Sequence, residues 1–134
     1  GLTGRIRVRA DDVTAIGDGG GYDLVTAFEC VHDLPDPVAV LAAMRRLRTP
    51  TGTVLVVDER VAPTFTAPGD DLERLMYGFS VLCCLPDGRA GGPSAATGTV
   101  MRPDTLRGYA LAAGFAGVDV LPNEHELFRF YRLV

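Results

Sequence analysis

Lysine is missing from this chain. All thirteen basic residues are arginine, set against seventeen acidic ones, for a net charge of −4 over 134 residues. Arginine without lysine, beside abundant Ala, Gly, Val and Asp, reads as the coding bias of a GC-rich genome. The negative balance speaks against a nucleic-acid partner, which a basic patch would announce. Cysteine is scarce: Cys30, Cys83 and Cys84 make no C-x-x-C pair, and the only histidines, His32 and His125, lie far apart. A disulfide framework is excluded and a zinc centre is not expected. No apolar run is long enough to span a bilayer, and no secretory leader pattern is present. The expectation is a reduced, soluble, cytoplasmic protein that binds neither nucleic acid nor membrane.

What is present is apolar: 47% of the residues, enough for a sizeable core and too much for a disordered tail. The length suits a single domain. Ile6 and Val8 alternate with Arg5, Arg7 and Arg9, which predicts a first strand ending at Asp11-Asp12. A glycine-rich loop spans Gly17–Gly21. The continuous run YDLVTAF then predicts a strand buried on both faces of a parallel sheet. In DPVAVLAAMRRLR, Asp36 is a natural N-cap, Pro37 suits the first helical position, and Arg45, Arg46 and Arg48 suit the C-terminal end. TPTG turns the chain into the strand TVLVVDERV. GDDLERLMYGFSVL predicts a helix with Leu72, Leu75, Met76 and Phe79 on one face, and LPDGRAGGPSAATG a long loop. RPDTLRGYALAAGF predicts a helix begun by Pro103 and Asp104 and stopped by Gly114; GVDVLP and LFRFYRLV predict two closing strands. Strands alternating with helices imply an α/β fold: a mostly parallel sheet, helices on both faces, and an antiparallel C-terminal edge.

The chemistry concentrates in AFECVHDLPDP, where Glu29, Cys30, His32, Asp33 and Asp36 follow an apolar strand. Polar, titratable groups at the carboxyl end of a strand are how α/β enzymes present a site. Taken in order, ADDV, YDLVTAFECVHDLPDPVAVLAAMRRLRTPTGTVLVVDE and RPDTLRGYALAAGFAGVDVL resemble the later motifs of the class I S-adenosylmethionine-dependent methyltransferases. The resemblance implies a partial Rossmann-like sheet, with residues 1–134 supplying the third strand onwards. The glycine-rich turn after that family's first strand is absent. The chain opens GLTGRIRV, without an initiator methionine, as the C-terminal portion of a longer domain would.

The resemblance further implies S-adenosyl-L-methionine as cofactor. It assigns Asp12 to the adenine amino group, Val13 to the adenine ring through its backbone N–H, and Phe28 and Glu29 to the cofactor side of the next strand. FECVHDLPDP resembles more narrowly the small-molecule O-methyltransferases that carry a winged-helix dimerisation domain. That match makes His32 the general base, with Leu34 standing where the subfamily has tryptophan. Glu59 becomes the carboxylate that orients His32, with Asp33 a second candidate; a further flanking glutamate of the subfamily falls at Met101 and is missing. Met76, Tyr77 and Phe79 are the candidates to contact the small-molecule acceptor. Cys83 and Cys84 read as packing, and His125 as a turn residue. The function implied is methyl transfer to a small acceptor, most simply a hydroxyl. The rival is a catalytically silent methyltransferase-like module that dimerises or binds. An open sheet edge predicts a homodimer.

Overall fold

The computed structural model describes residues 1, 3–17 and 20–134. Positions 18 and 19 of the expected glycine-rich loop lie outside the described residues. Four strands form one sheet in the order β1-β2-β4-β3: β1 is Tyr22–Phe28, β2 Arg48–Glu59, β3 Val118–Val120 and β4 Phe128–Leu133. β1 pairs with β2 in parallel, while β4 runs antiparallel to both β2 and β3. The expected antiparallel edge is therefore present, and the parallel part is the β1–β2 pair.

The expected first strand is not formed. Residues 6–10 have no regular structure, and Ile6 and Val8 stand 62% and 92% exposed. Alternation gives a segment the right faces, but a strand also needs a neighbour to take its N–H and C=O groups. The TPTG turn is drawn into β2, where pairing jumps from Tyr22↔Arg48 to Leu24↔Thr53 and the intervening residues bulge out.

The first long helix, α1 (Pro37–Leu47), begins as its sequence dictates. Asp36 accepts a hydrogen bond from Ala39 N at 2.9 Å, a cap worth about 1 kcal/mol. The helix α2 (Asp71–Phe79) is capped in the same way by Asp70. It then passes through a π-helical turn, Ser80–Cys84, into α3 (Leu85–Arg89), so the expected loop starts later than LPDGR. The helix α4 (Pro103–Ala112) ends where Gly114 takes φ +90° and Phe115 N reaches back to Ala110 O, a conformation glycine adopts without strain.

The core lies where α1 and α4 meet one face of the sheet. Leu41, Val54, Val56, Leu106, Ala110 and Tyr131 are fully buried there. Each large aliphatic side chain so placed contributes roughly 1.5–3 kcal/mol. On the opposite side of β1, Leu24 and Phe28 remain 56% and 57% exposed. The expected apolar stripe of α2 is only partly inward. Met76 is buried, Leu75 and Phe79 are half exposed, and the inward face also carries Glu73 and Ser80. Glu73 tolerates burial because Arg102, ahead of α4, forms an ion pair with it.

Candidate active site

The carboxyl ends of β1 and β2 meet at His32. β1 stops at Phe28, and Glu29 N extends the ladder to Val57 O at 2.9 Å. Glu29 then takes φ +48°, a left-handed conformation that is uncommon outside glycine and clusters at functional sites. The chain bends through Cys30 into a single 3₁₀ turn, Val31–Asp33, which carries the imidazole inward until His32 is 4% exposed.

Two carboxylates from the end of β2 converge on Nδ1. Asp58 Oδ1 lies at 2.8 Å and is hydrogen-bonded; Glu59 Oε2 lies at 3.1 Å as an ion-pair contact. Neighbours along a strand usually point to opposite faces. Both reach one ring here because His32 stands just past the Phe28↔Val57 pair, at the end of the ladder rather than over either face. A single N–H can point at only one oxygen, so Asp58 is the orienting partner and Glu59 adds charge beside it. The other nitrogen, Nε2, is 3.3 Å from Asp33 Oδ1 and 3.6 Å from Cys84 Sγ.

Burial disfavours charge on His32, but the hydrogen bond to Asp58 and the contact with Glu59 outweigh it and raise its pKa to about 11. Burial likewise pushes Asp58 up, to about 7, against the pull of His32. Glu59 settles below its usual value, because His32 and Asp58 overcome the effect of burial. The cluster is rich in acceptors: Asp33 Oδ1, Asp58 Oδ2, Glu59 Oε2 and Thr99 Oγ1 are buried with no hydrogen-bond partner among the described residues.

A cavity of about 430 Å³ opens over this cluster. Leu75, Met76, Phe79, Leu127 and Phe128 form apolar walls; Glu29, His32, Asp33, Glu59, Cys84 and Thr99 supply the polar part. An apolar chamber with a few convergent polar groups is the usual form of a small-molecule site. The structure thus gathers His32, Asp33, Glu59, Glu29, Met76 and Phe79 of the expected set around one space. Tyr77, expected to contact the acceptor, does not line it. Its hydroxyl accepts from Arg102 Nη2 at 3.2 Å and its ring meets Phe65 edge-on. Asp12 and Val13 do not line it either. The Asp12 carboxylate caps its own turn, accepting from Thr14 N and Thr14 Oγ1 at 2.8 Å each, and those bonds hold its pKa below the ordinary value. Phe28 is exposed at the strand end.

Two members were missed in the sequence. Asp58 is fully buried and carries the hydrogen bond assigned to Glu59. Cys84, read as packing, faces Nε2. Donor atoms within 4.8 Å of one another, able to hold a metal, come as His32-Asp33-Cys84 and as His32-Asp58-Glu59. Among the described residues no helix is long and apolar enough to cross a membrane.

No family model matches the chain. A stretch of 54 residues is 41% identical to the ubiquinone biosynthesis O-methyltransferase of Methylococcus capsulatus, covering 40% of this chain and 23% of that protein. An O-methyltransferase family protein from Burkholderia thailandensis superposes with a TM-score of 0.69 at 18% identity, over 98% of this chain and 36% of that one. The trans-methyltransferase CalH, solved in complex with SAH, superposes with a TM-score of 0.57 at 26% identity, over 93% and 34%. The chain spans about a third of the length of these structures and less than a quarter of the curated relative. The order of its strands, the placement of its helices and this superposition give the chain the α/β fold of the class I S-adenosylmethionine-dependent methyltransferases.

Proposed function

We propose that the chain forms the C-terminal portion of a methyltransferase domain that transfers a methyl group from S-adenosylmethionine to the hydroxyl of a small molecule, with His32 as general base. The observation that carries this reading is His32 itself: Nδ1 is fixed by Asp58 at 2.8 Å, and the ring lines a cavity whose walls are largely apolar. Bound S-adenosylmethionine supplies an electrophilic methyl on a cationic sulfonium. The residues present suit that cation, since Glu29, Asp33 and Glu59 bring three carboxylates to one cavity. Glu29 and Phe28 would flank it at the end of β1.

The chain's own work falls on the acceptor. Leu75, Met76 and Phe79 would pack the acceptor's apolar body and exclude water, holding its hydroxyl in line. Nε2 would take the hydroxyl proton, and Asp58 and Glu59 would stabilise the imidazolium that results. A phenol ionises near pH 10, and the two carboxylates that raise the pKa of His32 make its deprotonated form a strong base for such a hydroxyl. The exposed Leu24 and Phe28 support a second surface covering β1, from the rest of the domain or from a homodimer partner.

The test is methyl transfer by the domain that contains this chain. His32→Ala should keep affinity for S-adenosylhomocysteine while turnover falls about 10²–10⁴-fold. Unchanged turnover would reject the base. A second reading, a silent binding module, draws on one observation: three carboxylates hold His32 as a cation. It requires that no phenolic acceptor be methylated at any pH.

A further inference from the structure

The mechanism above uses Nε2 of His32 but gives no task to the sulfur that faces it. We propose that His32 Nε2, Cys84 Sγ and Asp33 Oδ1 form a binding site for a zinc ion at the mouth of the cavity.

The spacing of the donors is the first argument. Tetrahedral zinc, with Zn–N of about 2.0–2.1 Å and Zn–S of about 2.3 Å, separates an imidazole nitrogen from a thiolate sulfur by about 3.6 Å. The same geometry separates that nitrogen from a carboxylate oxygen by about 3.4 Å. Nε2 lies 3.6 Å from Cys84 Sγ and 3.3 Å from Asp33 Oδ1. All three donor atoms fall within 4.8 Å of one another. The two edges that meet at Nε2 thus match a tetrahedral zinc ion, and the third joins donors that lie within 4.8 Å of each other.

The surroundings of the ligands are the second. A metal-bound histidine characteristically donates its other N–H to a carboxylate, which fixes the ring and makes the free nitrogen a better ligand. Asp58 does this at 2.8 Å, with Glu59 beside it. Asp33 Oδ1 is buried with no hydrogen bond among the described residues beyond its 3.3 Å ion-pair contact with Nε2, and Thr99 Oγ1 is buried on the same cavity wall. A cation satisfies the first directly and a water bound to it can satisfy the second.

The fold also delivers the sulfur to this turn. The π-helical turn Ser80–Cys84 carries the chain from α2 into α3, and Cys84 is its last residue. Gly88 then packs so tightly on Asp33 that a Cβ there would stand 2.7 Å from the Asp33 carbonyl oxygen. Gly98 N donates to the His32 carbonyl at 3.1 Å. The segment bearing Cys84 is therefore clamped to the turn bearing His32 and Asp33. Cys84 and Asp33 also border a second cavity on the outer side, which gives an ion a route inward. The other donor set, His32-Asp58-Glu59, is closed, because Nδ1 is already hydrogen-bonded and both carboxylates are buried.

The ligands would bind as thiolate and neutral imidazole, and the displaced protons go to solvent. Sulfur with nitrogen selects zinc over magnesium or calcium. On the reading of His32 as general base, zinc at Nε2 removes the lone pair that accepts the acceptor's proton and so arrests turnover.

Cobalt(II) titrated into the domain that contains this chain, with Cys84→Ser as its control, reports on both the coordination number and the sulfur. The expected result is one equivalent bound, with the intense visible bands of a tetrahedral ion and a near-ultraviolet thiolate charge-transfer band, both abolished by zinc and untouched by magnesium. Cys84→Ser should remove the charge-transfer band while Cys83→Ser retains it. Asp58→Asn should weaken zinc binding about 10–100-fold in calorimetric titration. A wild-type cobalt spectrum without the thiolate band, or a Cys84→Ser chain that binds zinc as tightly as wild type, would overturn the site. Those readouts need no turnover, so they separate the site from the catalytic reading. Zinc bound through Cys84 with methyl transfer undiminished would uphold the site and reject His32 as the base.

Discussion

The chain's two histidines sit in opposite environments. His125 is exposed in the connection between β3 and β4. Its Nδ1 accepts hydrogen bonds from Leu127 N and Phe128 N at 3.1 and 3.2 Å, and its ring stacks on Phe128 with centroids 4.8 Å apart. His32 is buried, and its Nδ1 faces two carboxylates instead of two amides. The same atom is an acceptor in one case and a donor in the other. At His125 the ring closes a turn, and water could replace much of what it does. At His32 the ring holds apart charges that nothing else among the described residues neutralises. A histidine's chemistry is set by what its first nitrogen is bonded to, since that decides what the second has to offer.

The largest effect is expected from removal of the His32 ring. His32→Ala leaves Asp58 and Glu59 buried without their cation, which costs about 3–5 kcal/mol, readable as a lowered denaturation midpoint. His32→Gln restores volume and a donor, so it should recover part of that stability and none of the base. Equal stability of His32→Ala and wild type would mean that the carboxylates are discharged without the ring.

The two carboxylates can be told apart next. Asp58→Asn removes the charged partner that fixes the Nδ1–H tautomer and should lower turnover about 100-fold. Glu59→Gln removes a charge but not the hydrogen bond, so it should act on the pH profile. A general base works only when unprotonated. With its pKa raised to about 11, His32 is mostly protonated at neutral pH, and turnover should rise with pH across the alkaline range. An ordinary histidine base would already be level above pH of about 7. Glu59→Gln lowers the His32 pKa and should shift the rise toward lower pH, raising the rate at neutrality. A flat alkaline profile in the wild type would contradict the electrostatics of the cluster.

Much of the scaffold was legible because its signals are local. Asp36 and Pro37 start α1, Gly114 stops α4, and the predicted run YDLVTAF, Tyr22–Phe28, is β1. The alternation at Ile6 and Val8 misled because strand formation depends on a partner, which no local pattern supplies. At the site, His32 and Glu59 stood out as titratable groups just past apolar strands. Asp58 was hidden by the period-two rule, which sends it to the face opposite Glu59; that rule fails at a strand end. Cys84 was hidden by distance: 52 residues separate it from His32, and the π turn that aims it breaks the helical spacing a reader would extrapolate. The burial of Glu73 depends on Arg102, 29 residues further on, a partner that no local pattern names.

The smallest expected effect lies at the other histidine. His125→Ala removes an acceptor for two backbone amides and a stacked ring, all at an exposed position. Leu127 N and Phe128 N can turn to water there, so no buried group is stranded and the net loss is that of an ordinary hydrogen bond, about 1 kcal/mol. Turnover should be unchanged unless the turn itself moves, because Leu127 and Phe128 both line the cavity. His125→Asn separates these cases: its side-chain oxygen can accept from the same two amides, so it should restore the stability lost in His125→Ala. A stability loss in His125→Ala as large as that of His32→Ala would show that the turn holds up the cavity wall, and the contrast between the two rings would then be one of chemistry alone.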